Sequence, residues 1–571
     1  MKTIRQTLIL LTFALFFAAN VTAAPLDERQ RTVETVVADA LAQLPAATAG
    51  DYDKIMGELA ATGAEGVGIL ADMLVPASQG ENAAVEYALN GVASFVTAAG
   101  REQLRPAVYE GLLAALARCK DDANRAFLVS QLQLCATADN AAALAAYIDD
   151  PYLGDPVLRA LISIPDSEAT LLSLARRSDL SDAQRAALAY AFGEKRTAAA
   201  EPILLGWIDG ADDATRAALY PALASCGTAA SAKALEAAAR AVDYGCDETA
   251  ATDSYLRLLD RMVDEGAARD AVKAAKRLLK CERANVRGAA LEVIVRAEGT
   301  RAMPYVLAAL EKGDIQYRNA ALRYIGDKAD DAVYATIAAD RKRLSDEAWA
   351  DVIEWFGVRH AASQTGAVTE AVGSSNDAVA LAGIRAAGRL GGDEALAALI
   401  AALGGPHSDA AAQTLLAFNG RIDEGVVKAL DGRGTMQVQA LNLAAARRID
   451  AVADKVFALL DAPDAAVSEA AYRALASIAA PADVDRLSRL LDTADAAHAG
   501  QLSAALSHAV RTLAPEKQYE TVYARMSASP RPERYYPTLA QTGTQQAIDC
   551  LVENFAGSRR AEAFDALLRV E

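Results

Sequence analysis

Aromatic residues are scarce: phenylalanine, tryptophan and tyrosine make 6% of the 571 residues, while hydrophobic residues make 53%. Much of the apolar fraction is therefore alanine. A disordered chain would be poorer in apolar residues, so disorder is excluded. With 36 Gly, 17 Pro and 6 Cys spread along the chain, collagen-like and disulfide-dense classes drop out as well. The cysteines (Cys119, Cys135, Cys226, Cys246, Cys281 and Cys550) form no Cys-x-x-Cys pair, which removes zinc-ribbon and thioredoxin-type motifs. Histidine occurs four times, at His360, His407, His498 and His508, with neither a His-Glu-x-x-His motif nor zinc spacing, and surface or loop positions are expected. No Walker A loop, Gly-x-Ser-x-Gly elbow or Gly-x-Gly-x-x-Gly fingerprint is present. No catalytic residue, metal ligand or cofactor is assigned, and the chain by itself leans away from being an enzyme.

Positive charge is also in deficit. The first residues read as a secretory signal peptide, 1–23: Lys2 and Arg5 form a basic start, Leu8 to Phe17 an apolar core, and Val21-Thr22-Ala23 a small-residue cleavage site. The apolar run is too short to span a bilayer, no later stretch is long enough, and no cysteine follows the cleavage region to carry a lipid. A periplasmic or extracellular location is expected. Without Lys2 and Arg5 the balance is 55 basic to 75 acidic residues, a net charge of −20. Such a chain is repelled by phosphate backbones and anionic lipid, so nucleic acid is not an expected partner.

What is abundant is a repeat. A small residue, a large apolar anchor and an apolar residue three positions later recur. The anchors are Leu128, Leu158, Leu188 and Leu219, spaced 30, 30 and 31. Leu291, Leu322, Ile353, Ile384 and Leu415 follow at intervals of 31, then Leu441, Tyr472 and Leu502. The 72 residues between Leu219 and Leu291 hold two periods plus about ten extra, expected around Asp243 to Ser254. Spacing of i, i+3 with small neighbours marks one face of a helix packed closely on another. Asp122, Asp182, Asp213, Asn285 and Asp409 six before the anchors, with Asp346 and Asp377 seven before, read as N-caps. That reading also accounts for acid pairs such as Asp121-Asp122, which lack EF-hand spacing. A second helix follows each anchor helix, as in 300–310 and 393–403. Pro202 and Pro304 sit in first turns, and Gly404-Gly405-Pro406 is a helix stop.

The motif of Arg, small residues and Leu appears as Arg185-Ala186-Ala187-Leu188, Arg216-Ala217-Ala218-Leu219, Arg287-Gly288-Ala289-Ala290-Leu291 and Arg318-Asn319-Ala320-Ala321-Leu322. With Ala386-Ala387-Gly388-Arg389-Leu390-Gly391, it resembles the HEAT-repeat superfamily, including its short bacterial HEAT-like form. The resemblance implies an all-α, right-handed α-solenoid of HEAT-like helix pairs with a period of about 30–31 residues. It is placed at 51–571, with less regular repeats up to about 120 and a leading helix and linker at 24–50. Roughly sixteen or seventeen pairs fit. Phe127 and Gln131 depart from the pattern, which puts the N-terminal register in question and suggests a capping unit there.

The resemblance also places the anchor helices on the concave side. One past the anchor, the sequence reads Glu292, Arg323, Glu354, Arg385, Leu416, Asn442 and Arg473. The first four alternate in sign at about 10 Å per repeat. They form either a stripe that grips a partner or a charge ladder between repeats, with the ladder preferred. Trp349, Trp355 and Phe356, and Tyr519, Tyr523, Tyr535 and Tyr536, are expected in the core; exposed, the tyrosines could stack on sugars or a peptide. Cys246 and Cys281 can end equivalent helices of neighbouring repeats, where a bridge is geometrically open; buried free thiols are the preferred reading.

Two functions follow from the resemblance. One is an exported scaffold that binds a protein partner, with carbohydrate as a further option. The other is the N-terminal solenoid of a larger secreted enzyme of the 3-keto-disaccharide hydrolase type, suggested because 560–571 reads as a helix without a polar cap.

Overall fold

A computed structural model describes residues 31–570. The expected signal peptide, 1–23, lies outside the described residues. Among those residues the regular elements are helices, with no strand. They divide into two compact units, one up to Ala271 and one from Val272 onward.

The first unit opens with the helix Val33–Gln43, capped by Thr32. Six helix pairs follow, from Ala49–Ala61 with Gly63–Asp72 to Asp213–Cys226 with Ala229–Ala241, and then the helix Ala251–Asp264. Each anchor helix packs on the anchor helix before it and on the companion helix that joins the two. In the second unit nine pairs run from Ala284–Glu298 with Met303–Lys312 to Tyr536–Ala540 with Gln545–Phe555, and Arg560–Leu567 follows them. Their anchor helices touch in the same serial way. No helix pair can bury its apolar face alone, and serial stacking completes a continuous core within each unit. Each unit is therefore an α-solenoid of HEAT-like helix pairs. The anchor residues form the seam: Leu128, Leu219, Leu291, Ile353, Leu415 and Leu441 have no exposed surface.

The interval between Leu219 and Leu291 holds one further anchor helix, Ala251–Asp264. The extra residues lie in the connection 242–250, where Asp243, Tyr244 and Ala250 take φ of 50°, 52° and 54°. The last four residues of the expected insertion, 251–254, belong to the helix itself.

The expected N-caps are off by one. Asp122, Asp182, Asp213, Asp346 and Asp377 are first helical residues. The caps are Asp121, Ser181, Asp212, Ser345 and Asn376, whose side chains accept from backbone amides two or three residues on. A cap must keep extended backbone geometry while its side chain turns onto the helix, so it stands just outside the periodic segment. The aspartates after it meet the positive end of the helix dipole. Three also pair with an arginine one turn on: Asp122–Arg125, Asp182–Arg185 and Asp213–Arg216. Asn285 and Asp409 lie inside helices that begin without a side-chain cap.

The early anchor-type helices start at residues 49, 83, 122 and 154, unequal steps against the even 31 of 284, 315, 346, 377 and 408. Asp122–Cys135 packs on the anchor helices on both sides of it, as a member of the stack rather than a cap. Gln131, one of its departures from the motif, and Asn124 are buried, and each pairs with an amide of the preceding repeat. Asn90 Nδ2 donates to Gln131 Oε1 at 2.9 Å, and Asn82 Nδ2 donates to Asn124 Oδ1 at 3.1 Å.

All six cysteines are free thiols. Cys135, Cys226 and Cys550 are buried, Cys119 and Cys281 half-buried, and Cys246 exposed in its connection. Burial pushes the Cys135 thiol up to about 12. Trp349, Trp355 and Phe356 are core residues grouped around Tyr334, with ring centroids 5.3 Å (Trp355) and 5.9 Å (Phe356) from it. Tyr535 and Tyr536 are fully buried, whereas Tyr519 and Tyr523 stack on each other at the surface. His498 and His508 are half-buried in the helix Ala496–Arg511, not in loops. His498 stacks on Tyr472, which is half-buried where the other named anchors are buried.

Candidate binding face

In the second unit the anchor helices are the closely spaced layer, and the companion helices touch one another far less. Small residues make this possible. A Cβ on Gly357 would lie 2.6 Å from Ala386 Cα, and one on Gly288 would lie 3.3 Å from Ala320 Cβ. Side chains leaving the outer surface of neighbouring anchor helices are thereby brought into one row.

The positions after the anchors form that row. Glu292 and Glu354 are half-buried, and Arg323, Arg385, Leu416, Asn442 and Arg473 are exposed. The expected alternation of charge resolves into two separate groups. In one, Arg385 Nε donates to Glu354 Oε2 at 2.7 Å, and Arg389 Nη1 donates to Glu354 Oε1. Burial pushes the Glu354 carboxyl up, and the hydrogen bonds from Arg389 and Arg385 outweigh it, holding it below the ordinary glutamate range. In the other, Arg323 donates to the Tyr324 hydroxyl at 2.5 Å and lies over that ring, 4.5 Å from its centroid. Burial and the neighbouring Glu292 push the Tyr324 hydroxyl up, against Arg323. The structure thus brings Glu354 and Arg385 together and gives Arg323 an aromatic partner on its own helix.

Arg389 is not visible at the position one past the anchor, which samples a single residue per repeat. It stands one turn beyond Arg385, and the i, i+4 spacing of two arginines on one helix was the available signal. Val358, five past its anchor, is 55% exposed on the preceding anchor helix, and Leu416 is 43% exposed on the following one. The face therefore carries cations and apolar contacts side by side.

The first unit uses the same positions differently. Val129, Ala189 and Tyr220 are 1%, 0% and 6% exposed, and Arg159 alone of the four points outward.

A second device went unread in the sequence. A cation near the C-terminus of an anchor helix reaches back to the last carbonyls of the previous one. Lys195 Nζ donates to Ile164 O at 3.0 Å, Arg359 to Gly326 O at 2.6 Å and Arg447 to Leu416 O at 3.1 Å. These clips satisfy orphan carbonyls at the negative end of the dipole.

Two crevices lie between helices. One of about 340 Å³ in the second unit is lined by Val372, Ile384, Ala398, Pro406 and His407, whose Nε2 lies 3.2 Å from Asp377. Another of about 490 Å³ in the first unit lies beside Asp149 and Arg177, which pair at 2.8 Å. Among the described residues no group of three or more His, Cys, Asp or Glu is placed to hold a metal ion. None of the described helices is long and apolar enough to cross a membrane.

No family model matches the chain, and no curated protein matches it. Among solved structures it is similar to the karyopherin Kap121p, with a TM-score of 0.37, 13% identity, and coverage of 91% of this chain and 58% of that one. Kap121p bound to Nup53p gives a TM-score of 0.36 at 12% identity, covering 93% of this chain and 58% of that one. A Kap95:Nup1 complex gives 0.37 at 12% identity, covering 95% of this chain and 88% of that one. The chain spans about 58% of the length of the Kap121p chains it matches. The assignment to stacked helix pairs rests on the packing within each unit, not on these likenesses.

Proposed function

We propose that the chain is a scaffold that holds a protein partner on the anchor-helix face of its second unit. One observation carries the reading. Arg323, Arg385, Arg389, Val358 and Leu416 point outward together on the closely spaced layer, and the core needs none of them. A row that offers fixed cations beside apolar side chains suits a protein surface, where arginine and large apolar groups supply most of the binding energy. The half-buried Glu354 pairs with both Arg385 and Arg389 across two neighbouring repeats.

The reading includes export, on the strength of Lys2, Arg5 and the apolar segment 8–17. The partner is then an extracytoplasmic protein. Chain recovered from the periplasm should begin at Ala24 by intact mass; a retained Met1 overturns this part.

A photo-crosslinking residue at Leu416 tests the face itself. A discrete protein adduct is expected from Leu416 and none from Glu370, which is exposed on a companion helix. Equal labelling from both positions, or none from Leu416, overturns the reading.

A further inference from the structure

The arginine pair already holds a carboxylate. Both oxygens of Glu354 are occupied, one by Arg385 at 2.7 Å and the other by Arg389. Glu354 lies on the preceding repeat, so this acid bridges two repeats from the side, and it stays 29% exposed while Arg385 and Arg389 are 52% and 42% exposed. The guanidinium groups therefore present donors to solvent beyond those that Glu354 uses, since arginine carries five. No acid follows Arg385 in the row, where the next position is Leu416. A further outward cation, Arg323, rests on a tyrosine ring and hydroxyl and not on a carboxylate. In a chain of net charge −18, this part of the row carries Arg323, Arg385 and Arg389 against Glu292 and Glu354, a net charge of +1.

We infer that Arg385 and Arg389 form a carboxylate receptor for an acidic, extended peptide segment of the partner, with Glu354 as an internal competitor that such a segment displaces. The inference rests on the binding-face reading and adds the chemistry of the ligand. Arg323 stands two repeats before Arg385, about 20 Å away at ordinary helix spacing. An extended peptide rises about 3.3 Å per residue, so two acids about six residues apart would reach both cations. Val358, on the repeat between them, and Leu416, just beyond Arg385, offer apolar contact to the residues in and beside that interval. Charge complementarity of this kind gives specificity and salt-dependent binding.

Fluorescence anisotropy on the full chain tests it. The probe is the labelled peptide Glu-Ser-Leu-Ser-Leu-Ser-Glu, compared with its twin carrying Gln in place of both Glu and with a single-stranded thymidine oligonucleotide. The acidic peptide should bind, weaken with added salt, and outcompete its twin. Glu354→Gln frees the receptor and should tighten the acidic peptide about threefold, because the competent state is no longer self-occupied. Arg385→Ala with Arg389→Ala should weaken it by about tenfold or more while melting stays within about 2 °C, since both side chains are exposed. Equal binding of both peptides, weaker binding by Glu354→Gln, or preferential binding of the oligonucleotide overturns the inference. A chain that cross-links a partner from Leu416 but shows no preference for the acidic peptide loses the acidic ligand and keeps the face. Absence of both removes the face as well.

Discussion

The two units spend the same repeat differently. The first ties its helix pairs together with polar side chains: the Asn82–Asn124 and Asn90–Gln131 amide pairs, of which Asn124 and Gln131 are buried, and Glu201, which is 8% exposed and accepts from both Thr228 and Ser231. At most of its repeats the position after the anchor is buried as well. The second unit packs through small residues and aromatics, with Gly357 against Ala386 and a Tyr334–Trp355–Phe356 cluster, and turns the position after the anchor outward. A one-residue difference in where the buried pair falls decides whether a helix offers a side chain to its neighbour or to a partner. Period alone therefore says where helices stack and not which unit binds.

The sharpest break of that contrast is at the glycines. Gly357→Val should destabilise the second unit by about 3 kcal/mol, because the added atoms meet backbone that cannot yield. Gly193→Ala in the first unit sets its Cβ 3.2 Å from Ala222 Cα. That mild crowding is offset by a gain in helix propensity of up to about 1 kcal/mol, so its net effect should be near zero. Urea unfolding of both variants makes the comparison.

Glu201→Ala comes next. It strands the amides of Thr228 and Ser231 at the start of Ala229–Ala241 and should cost about 2 kcal/mol in the same assay. Burial pushes the Glu201 carboxyl up, and hydrogen bonds from Ser231 and Thr228 more than reverse it, leaving it below the ordinary range. A depressed carboxylate stabilises the fold fully above its unfolded value, about pH 4.3, and loses that contribution as pH falls through the folded value. Wild-type chain should therefore lose stability below about pH 4 more steeply than Glu201→Gln.

Asn124→Ala removes a donor to Val75 O at 3.0 Å and an acceptor for Asn82, and should cost about 1–2 kcal/mol by thermal unfolding. A small effect on stability is also expected at the second unit's face. Arg385→Ala with Arg389→Ala should change unfolding by less than about 1 kcal/mol, as expected for exposed ion pairs. A loss as large as that of Glu201→Ala would make the arginines part of the frame and blur the distinction between the units.

Much of the frame was legible in the residues. The anchors from Leu128 to Leu502 all fall in anchor helices, because burying a stripe at i, i+3 admits only large apolar groups. The insertion before Ala251 was visible as a lengthened interval. Caps slipped by one because acids in the first turn and acids at the cap satisfy the same electrostatics. The carbonyl clips of Lys195, Arg359 and Arg447 were unreadable, since their partners lie about a repeat away and offer only backbone. The charged row was partly legible: Glu354 and Arg385 do meet, but Arg323 turned to Tyr324, a local partner that periodicity does not weigh.

The central claim is that each repeat leans only on its neighbours, and excision of one period tests it most directly. Removing residues 315–345 joins Asp314 to Asp346, so one cap residue replaces another and the 31-residue register is kept. A serial stack should stay helical by circular dichroism and unfold cooperatively at a lower urea midpoint. Loss of helical signal and of a cooperative transition would show instead that the unit depends on contacts between distant repeats.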